Sequence, residues 1–261
     1  MIDKEIFSKI DKTNCEAVVS ALNQHGSHAV VAEQGCRAIA DLAANNANAV
    51  KLGSCDGCEA VVSALNKHGS NAAVAEYGCW AICNLAFNDA NRVKLGSCGG
   101  CEAVVSALNK HVNDTAVAEQ GCWAIINLAS NDANRVKLGS CGGCEAVVLA
   151  LNKHVSNATV AEQGCRAICN LAANDANRVK LGSCGGCEAV VSALNKHSSN
   201  ADVALYGCWA ILNLAWNNNE ANKKKLNTCG GYEAVVSSLN KHSSNESVKK
   251  QGNLALSKLK S

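Results

Sequence analysis

The string Cys-Glu-Ala-Val-Val begins at Cys15, Cys58, Cys101, Cys144 and Cys187, each 43 residues after the last, and a variant of it begins at Tyr232. A fixed period of this length constrains the chain more than any other feature. One unit of that size cannot bury its own apolar face, so neighbouring units must stack into a solenoid. The chain divides into about six units, 1-44, 45-87, 88-130, 131-173, 174-218 and 219-261, forming a single solenoid. The interval into the last unit is longer by two residues, which fall in the stretch from Trp216 to Glu220, where an insertion maps to a loop. The first unit lacks a regular short helix, and the last ends in Gly252-Asn253-Leu254-Ala255-Leu256-Ser257-Lys258-Leu259-Lys260. Both read as caps whose outer face meets water.

Within residues 88-130 three helices are expected from their punctuation. Asp89 reads as the N-cap of a short helix over Ala90 to Leu95, stopped by Gly96 and the Gly99-Gly100 pair. Glu102 to His111 forms the second, with an acid in its first turn and Lys110-His111 in its last, as the helix dipole favours. The third runs from about Thr115 to Ser130. The absence of proline and the presence of only nine aromatic residues agree with an all-α chain whose core is aliphatic and alanine-rich.

Charge excludes one class of partner. Lys and Arg number 24 against 22 Asp and Glu, a net +2, so the chain lacks the basic footprint with which phosphates are neutralised, and nucleic acid is set aside. The opening MIDKEIFSKIDKTN has no signal-like apolar run, and no window of about 18 apolar residues could cross a bilayer. The expectation is a monomer without membrane insertion, cytoplasmic and extending to the nucleus.

The third helix carries the functional information. With the Trp position taken as zero and roughly 100° per residue, Cys122, Ile125, Leu128 and Ala129 form one apolar face. Positions −3, 0, +4 and +7 lie on the opposite side. There the successive units read Gln34, Arg37, Asp41, Ala44; then Tyr77, Trp80, Asn84, Phe87; then Gln120, Trp123, Asn127, Ser130; then Gln163, Arg166, Asn170, Ala173; then Tyr206, Trp209, Asn213, Trp216. Seven of the nine aromatic residues fall on this stripe, away from the aliphatic face. Exposed Trp and Tyr supply the large rigid contacts of interaction hot spots. Asn suits an extended backbone because its carboxamide both donates and accepts. A plainer alternative is that Trp only seals the seam between units.

These motifs resemble the armadillo repeat over essentially the whole chain: Asn91-Arg92-Val93-Lys94-Leu95, the Gly pair, Glu102-Ala103-Val104-Val105, and Gly121-Cys122-Trp123-Ala124-Ile125-Ile126-Asn127-Leu128-Ala129. The Trp-x-x-x-Asn-Leu-Ala element is similar to the peptide-binding repeats of importin-α. The resemblance implies a right-handed superhelix whose third helices line a concave groove, with Asn side chains holding a peptide backbone and Trp rings forming pockets. The implied peptide-binding residues are Tyr77, Trp80, Asn84, Phe87, Trp123, Asn127, Arg166, Asn170, Tyr206, Trp209, Asn213 and Trp216. Arg37 and Arg166 interrupt the Trp row, which places a main subsite over units two and three and a lesser one at unit five. In the last unit Lys258 takes the Asn position and Leu254 that of Trp, where the groove closes.

Glu33, Glu76, Glu119 and Glu162 border the stripe at position −4. Beside a Trp, Glu76 and Glu119 suit a Lys or Arg side chain of the partner through cation–π contact and charge pairing; a solvated helix flank is the alternative. From residue 219 onward eight Lys face three Glu, giving +5 there and −3 over the rest of the chain. A mixed-charge partner would direct its basic segment to the N-terminal units. The expected ligand is therefore an extended or disordered, Lys/Arg-containing segment of another protein. A scaffold contacting folded partners through other surfaces is the alternative function.

Other recurrent residues invite chemistry. Cys55 and Cys58, Cys98 and Cys101, Cys141 and Cys144, and Cys184 and Cys187 are Cys-x-x-Cys pairs, which elsewhere signal zinc or redox use. Their regular recurrence fits small buried packing residues equally well. Cys36, Cys79, Cys122, Cys165 and Cys208 lie on the core face. His25, His68, His111, His154, His197 and His242 recur at the end of the second helix, where the dipole favours them. Catalysis needs a unique constellation, and this chain offers only repeated ones. No enzyme activity, cofactor or metal is expected.

Overall fold

The computed structural model describes residues 10–217 and 219–260, and among them every regular element is an α-helix. Three kinds of helix recur in order. The short ones are α3 (Asn46–Ser54), α6 (Asp89–Ser97), α9 (Asp132–Ser140), α12 (Asp175–Ser183) and α15 (Glu220–Thr228). The middle ones are α1 (Cys15–His25), α4 (Gly57–His68), α7 (Gly100–Lys110), α10 (Gly143–Lys153), α13 (Gly186–Lys196) and α16 (Gly231–Lys241). The third ones are α2 (Ala29–Ala43), α5 (Ala72–Leu85), α8 (Thr115–Leu128), α11 (Ala158–Leu171), α14 (Ala201–Leu214) and α17 (Glu246–Lys260). The fold is an α-solenoid of sequentially packed helices. Its chain contacts group into two compact units, Met1–Lys137 and Leu138–Ser261.

Helix starts follow side-chain capping. Asn45, Asn71, Asn88, Asp114, Asn157, Asn174, Asn200 and Asn219 each accept a backbone N–H of the helix they precede. The short helix expected to begin after Asp89 is therefore capped one residue earlier, by Asn88. Asp89 lies in the first turn and pairs with Arg92 at 2.7 Å. The same helix continues through Gly96 to Ser97, and the third helix ends at Leu128.

The break between short and middle helices is the first glycine of each pair. Gly99, Gly142, Gly185 and Gly230 adopt φ between +86° and +95°, a region L side chains avoid. A Cβ on Gly185 would meet only Val148 Cγ1, at 3.9 Å, so space is not the constraint. Gly185→Ala should cost about 1–2 kcal/mol, all of it backbone conformation, measured as a lowered urea midpoint at unchanged m-value.

The core is aliphatic, as expected. Cys122, Ile125, Leu128 and Ala129 are fully buried, and so are their equivalents Cys79, Ile82, Leu85 and Ala86. Third helices pack mainly on one another: α2 on α5 and α5 on α8 in the first unit, α11 on α14 and α14 on α17 in the second. Each interior third helix is covered on its flanks as well as on its inner face, and burial extends to positions that a single helical wheel assigns to the exposed side.

Recurrent polar residues hold successive repeats together by donating to backbone carbonyls. Asn91 Nδ2 donates to Ala49 O at 2.7 Å and Asn134 Nδ2 to Arg92 O at 2.8 Å. Lys94 Nζ reaches Gly53 O at 2.8 Å, and Lys180 Nζ reaches Gly139 O at 2.7 Å. The histidines expected only to complement a helix dipole also join in: His68 Nε2 lies 2.8 Å from Gly26 O and His197 Nε2 2.6 Å from Val155 O.

Candidate interaction face on the third helices

The residues predicted to form the stripe are found in three different environments. Asn84 and Asn127 are buried, with 7% and 6% of their surface exposed. Asn84 Nδ2 donates to Ala40 O at 2.9 Å, and Asn127 Nδ2 to Cys83 O at 2.9 Å. Asn213 Nδ2 donates likewise to Cys169 O at 2.9 Å. Asn170 is half-buried. The donor half of the Asn84, Asn127 and Asn213 carboxamides is thus spent on the preceding third helix and not offered to a partner, contrary to what the stripe alone implied. Among the described residues nothing donates to the Oδ1 atoms of Asn84 and Asn127, which remain able to take an N–H.

The aromatic residues stay at the surface. In the first unit Tyr77 and Trp80 are half-buried, their ring centroids 6.4 Å apart with planes tilted by 39°. Phe87 is 59% exposed. Phe87, Asn84 and the half-buried Trp123 meet around a groove of about 270 Å³ whose remaining wall is Ala43, Ala44, Asn46 and Ala49. Side chains from three successive repeats converge there. The alanine wall was not singled out from sequence, because alanine carries no signal in a chain this rich in it. A larger hollow of about 650 Å³, lined by Lys12, Glu33 and the stripe residues Gln34, Arg37 and Asp41 among others, lies along α2.

In the second unit Trp209 and Trp216 are 39% and 43% exposed. Lys258 Nζ lies 4.6 Å from the centre of the Trp216 ring, so the lysine at the last ladder position reaches back over that aromatic. The two arginines that interrupt the Trp row do the same to tyrosines of the next repeat. Arg37 stacks on Tyr77 at 5.6 Å and Arg166 on Tyr206 at 5.2 Å. The chain's own cations thus occupy Tyr77, Tyr206 and Trp216, and among the described residues no cation covers Trp80, Trp123, Trp209 or Phe87. A signal for this existed in the sequence: position −3 is Tyr only in the two repeats that follow an Arg, and Gln after each Trp.

Acidic side chains crowd the first unit's face. Burial raises the Glu76 carboxyl above the ordinary range, and Asp114, Glu119 and Glu33 push it further up while Arg37 opposes them. Burial raises Glu162 as well, with Asp202 adding and Arg166 opposing. A group of carboxylates in mutual repulsion at a half-buried aromatic face is electrostatically prepared for a cation. The cysteines, by contrast, are poor chemical groups: all are free thiols, and burial holds Cys58, Cys122 and Cys144 up at about 12. Among the described residues no three His, Cys, Asp or Glu gather closely enough to hold a metal ion. None of the described helices is long and apolar enough to cross a membrane.

No family model matches the chain, and no curated protein matches it. Solved structures do. An engineered protein solved by a structural-genomics consortium shares 24% identity with TM-score 0.80 over 94% of this chain and 96% of its own. A chain from a structure concerning a phosphorylation switch that controls the interaction between cadherin and β-catenin shares 17% identity with TM-score 0.60. That match covers 95% of this chain and 52% of the other. Both likenesses bear on the fold, a helical-repeat solenoid.

Proposed function

We propose that this protein is a non-enzymatic, intracellular interaction module of armadillo type that binds an extended, Lys/Arg-containing segment of another protein along the third helices of residues 1–137. One observation carries the proposal: Trp123 and, from the repeat before it, Phe87 and Asn84 face one groove, with Glu76 and Glu119 one helical turn before Trp80 and Trp123. Aromatic walls take the stem of a long cationic side chain, the carboxylates take its charge, and Asn Oδ1 takes a backbone N–H. The solved neighbour studied for cadherin–β-catenin interaction supports protein binding by a chain of this fold.

Trp123→Ala should weaken binding of a fluorescent, extended Lys/Arg peptide at least 10-fold in an anisotropy titration, since a central aromatic anchor is worth about 2 kcal/mol or more. Unchanged affinity would reject the groove. The pH dependence has a definite sign. Glu76 takes up its proton at higher pH than an ordinary Glu, so lowering the pH removes its charge first and affinity for the cation falls; a bound cation in turn drives that proton off. Glu76→Gln should flatten this acid limb.

A second reading, scaffolding through other surfaces, rests on Val50, Val93 and Val136, each a little over half exposed on successive short helices. A partner held there would be indifferent to Trp123→Ala and lost on Val93→Asp.

A further inference from the structure

Two sulfurs sit on one carbonyl row of each of several short helices. Cys184, which caps α12, places its Sγ 3.6 Å from Leu181 O. Cys144, from the first turn of α10 in the preceding repeat, places its Sγ 3.9 Å from Asn177 O on the same helix. Those two carbonyls are four residues apart and point the same way, with an axial rise between them of roughly 6 Å. The arrangement recurs at α15, with Cys187 Sγ 4.0 Å from Asn222 O and Cys229 Sγ 3.5 Å from Leu226 O. At α3 it recurs again, with Cys15 Sγ 3.9 Å from Asn48 O and Cys55 Sγ 3.7 Å from Leu52 O. The Cys-x-x-Cys neighbour of Cys144 is differently placed. Cys141 Sγ lies 3.6 Å from Leu138 O, on a different short helix from the one Cys144 rests on.

From this placement we propose that a small-molecule disulfide oxidises the chain by joining cysteines of consecutive repeats, Cys144 to Cys184, Cys187 to Cys229 and Cys15 to Cys55, and not by closing the Cys-x-x-Cys pairs. In each pair one thiol is half-exposed and the other buried, which assigns their order of action. The half-exposed Cys184 loses its proton and attacks one sulfur of glutathione disulfide, breaking that S–S bond and releasing one glutathione thiolate, which takes up a proton. Cys144 then loses its proton and attacks Cys184 Sγ in the mixed disulfide, releasing the second glutathione. The two cysteines give up two electrons, and one glutathione disulfide becomes two glutathione thiols. Electrostatic coupling ranks the neighbours the same way: Cys144 feels Cys184 more than Cys141, and Cys187 feels Cys229 more than Cys184. Burial keeps all of these thiols protonated, so the reaction is slow at neutral pH and calls for long incubation.

The test is incubation of the folded chain with glutathione disulfide, alkylation of remaining thiols, and non-reducing peptide mapping by mass spectrometry. Linked peptides joining Cys144 to Cys184 and Cys187 to Cys229 are expected. Cys184→Ser, a change at a half-exposed position, should abolish the first link and leave the second at its wild-type yield. Links joining Cys141 to Cys144 or Cys184 to Cys187 would overturn the proposal, as would glutathione retained on Cys184 with no link formed.

Discussion

Asn127→Asp should destabilise the chain by about 3 kcal/mol or more, seen as a lowered urea midpoint of unfolding, and much more than Asp41→Asn at the equivalent position of the first repeat. The native amide is 6% exposed, and its Nδ2 donates to Cys83 O at 2.9 Å. Aspartate has the same shape but no donor, so it turns a lone pair toward the carbonyl and buries a charge. Cys83 O also loses the donor that Asn127 gives it, which costs a further desolvation penalty. Asp41 is tolerated for the complementary reason: it is exposed, and no described third helix precedes α2 to present a carbonyl to it. Asp41→Asn should therefore change stability by less than about 0.5 kcal/mol. Equal losses from both changes would show that the carboxamide ladder does not bind repeats together.

Gly96→Ala should cost about 2–4 kcal/mol by the same measurement, although the same change on an open helix is stabilising. A Cβ at Gly96 would fall on Asn134 Oδ1, whose amide Nδ2 is donating to Arg92 O at 2.8 Å. The methyl must displace that side chain, so the penalty combines overpacking with the loss of the hydrogen bond between repeats. The two residues should then be strongly coupled. In a double-mutant cycle with Asn134→Ala, the combined change should cost clearly less than the two separate costs added together, because the second substitution removes what the first collides with. Additive costs would place the two side chains apart.

The helix order, the aliphatic face of the third helix and the surface position of its aromatic residues were visible, because each depends on residues within one turn of one another, whereas the cap of the short helix was misplaced by one residue, from Asn88 to Asp89. The burial of Asn84 and Asn127 was not visible. On a single helical wheel they share the outer stripe with Trp80 and Trp123, and only the packing of α2, α5 and α8 against one another covers them. The covering of Trp216 by Lys258 and of Tyr77 by Arg37 was half visible, through the pairing of residue types across one repeat, but side-chain reach decides it.

By itself the sequence determined the period, the three-helix unit and the location of apolar and aromatic surface, since periodicity and capping are local properties of side chains. The tertiary structure decided what the recurrent Asn, His and Lys do. Their partners are backbone carbonyls roughly one repeat upstream, such as Ala40 O for Asn84, Gly26 O for His68 and Gly53 O for Lys94. Every residue carries a carbonyl, so no residue type announces which one is left open, and only the stacking of one repeat on the next brings donor and acceptor into reach.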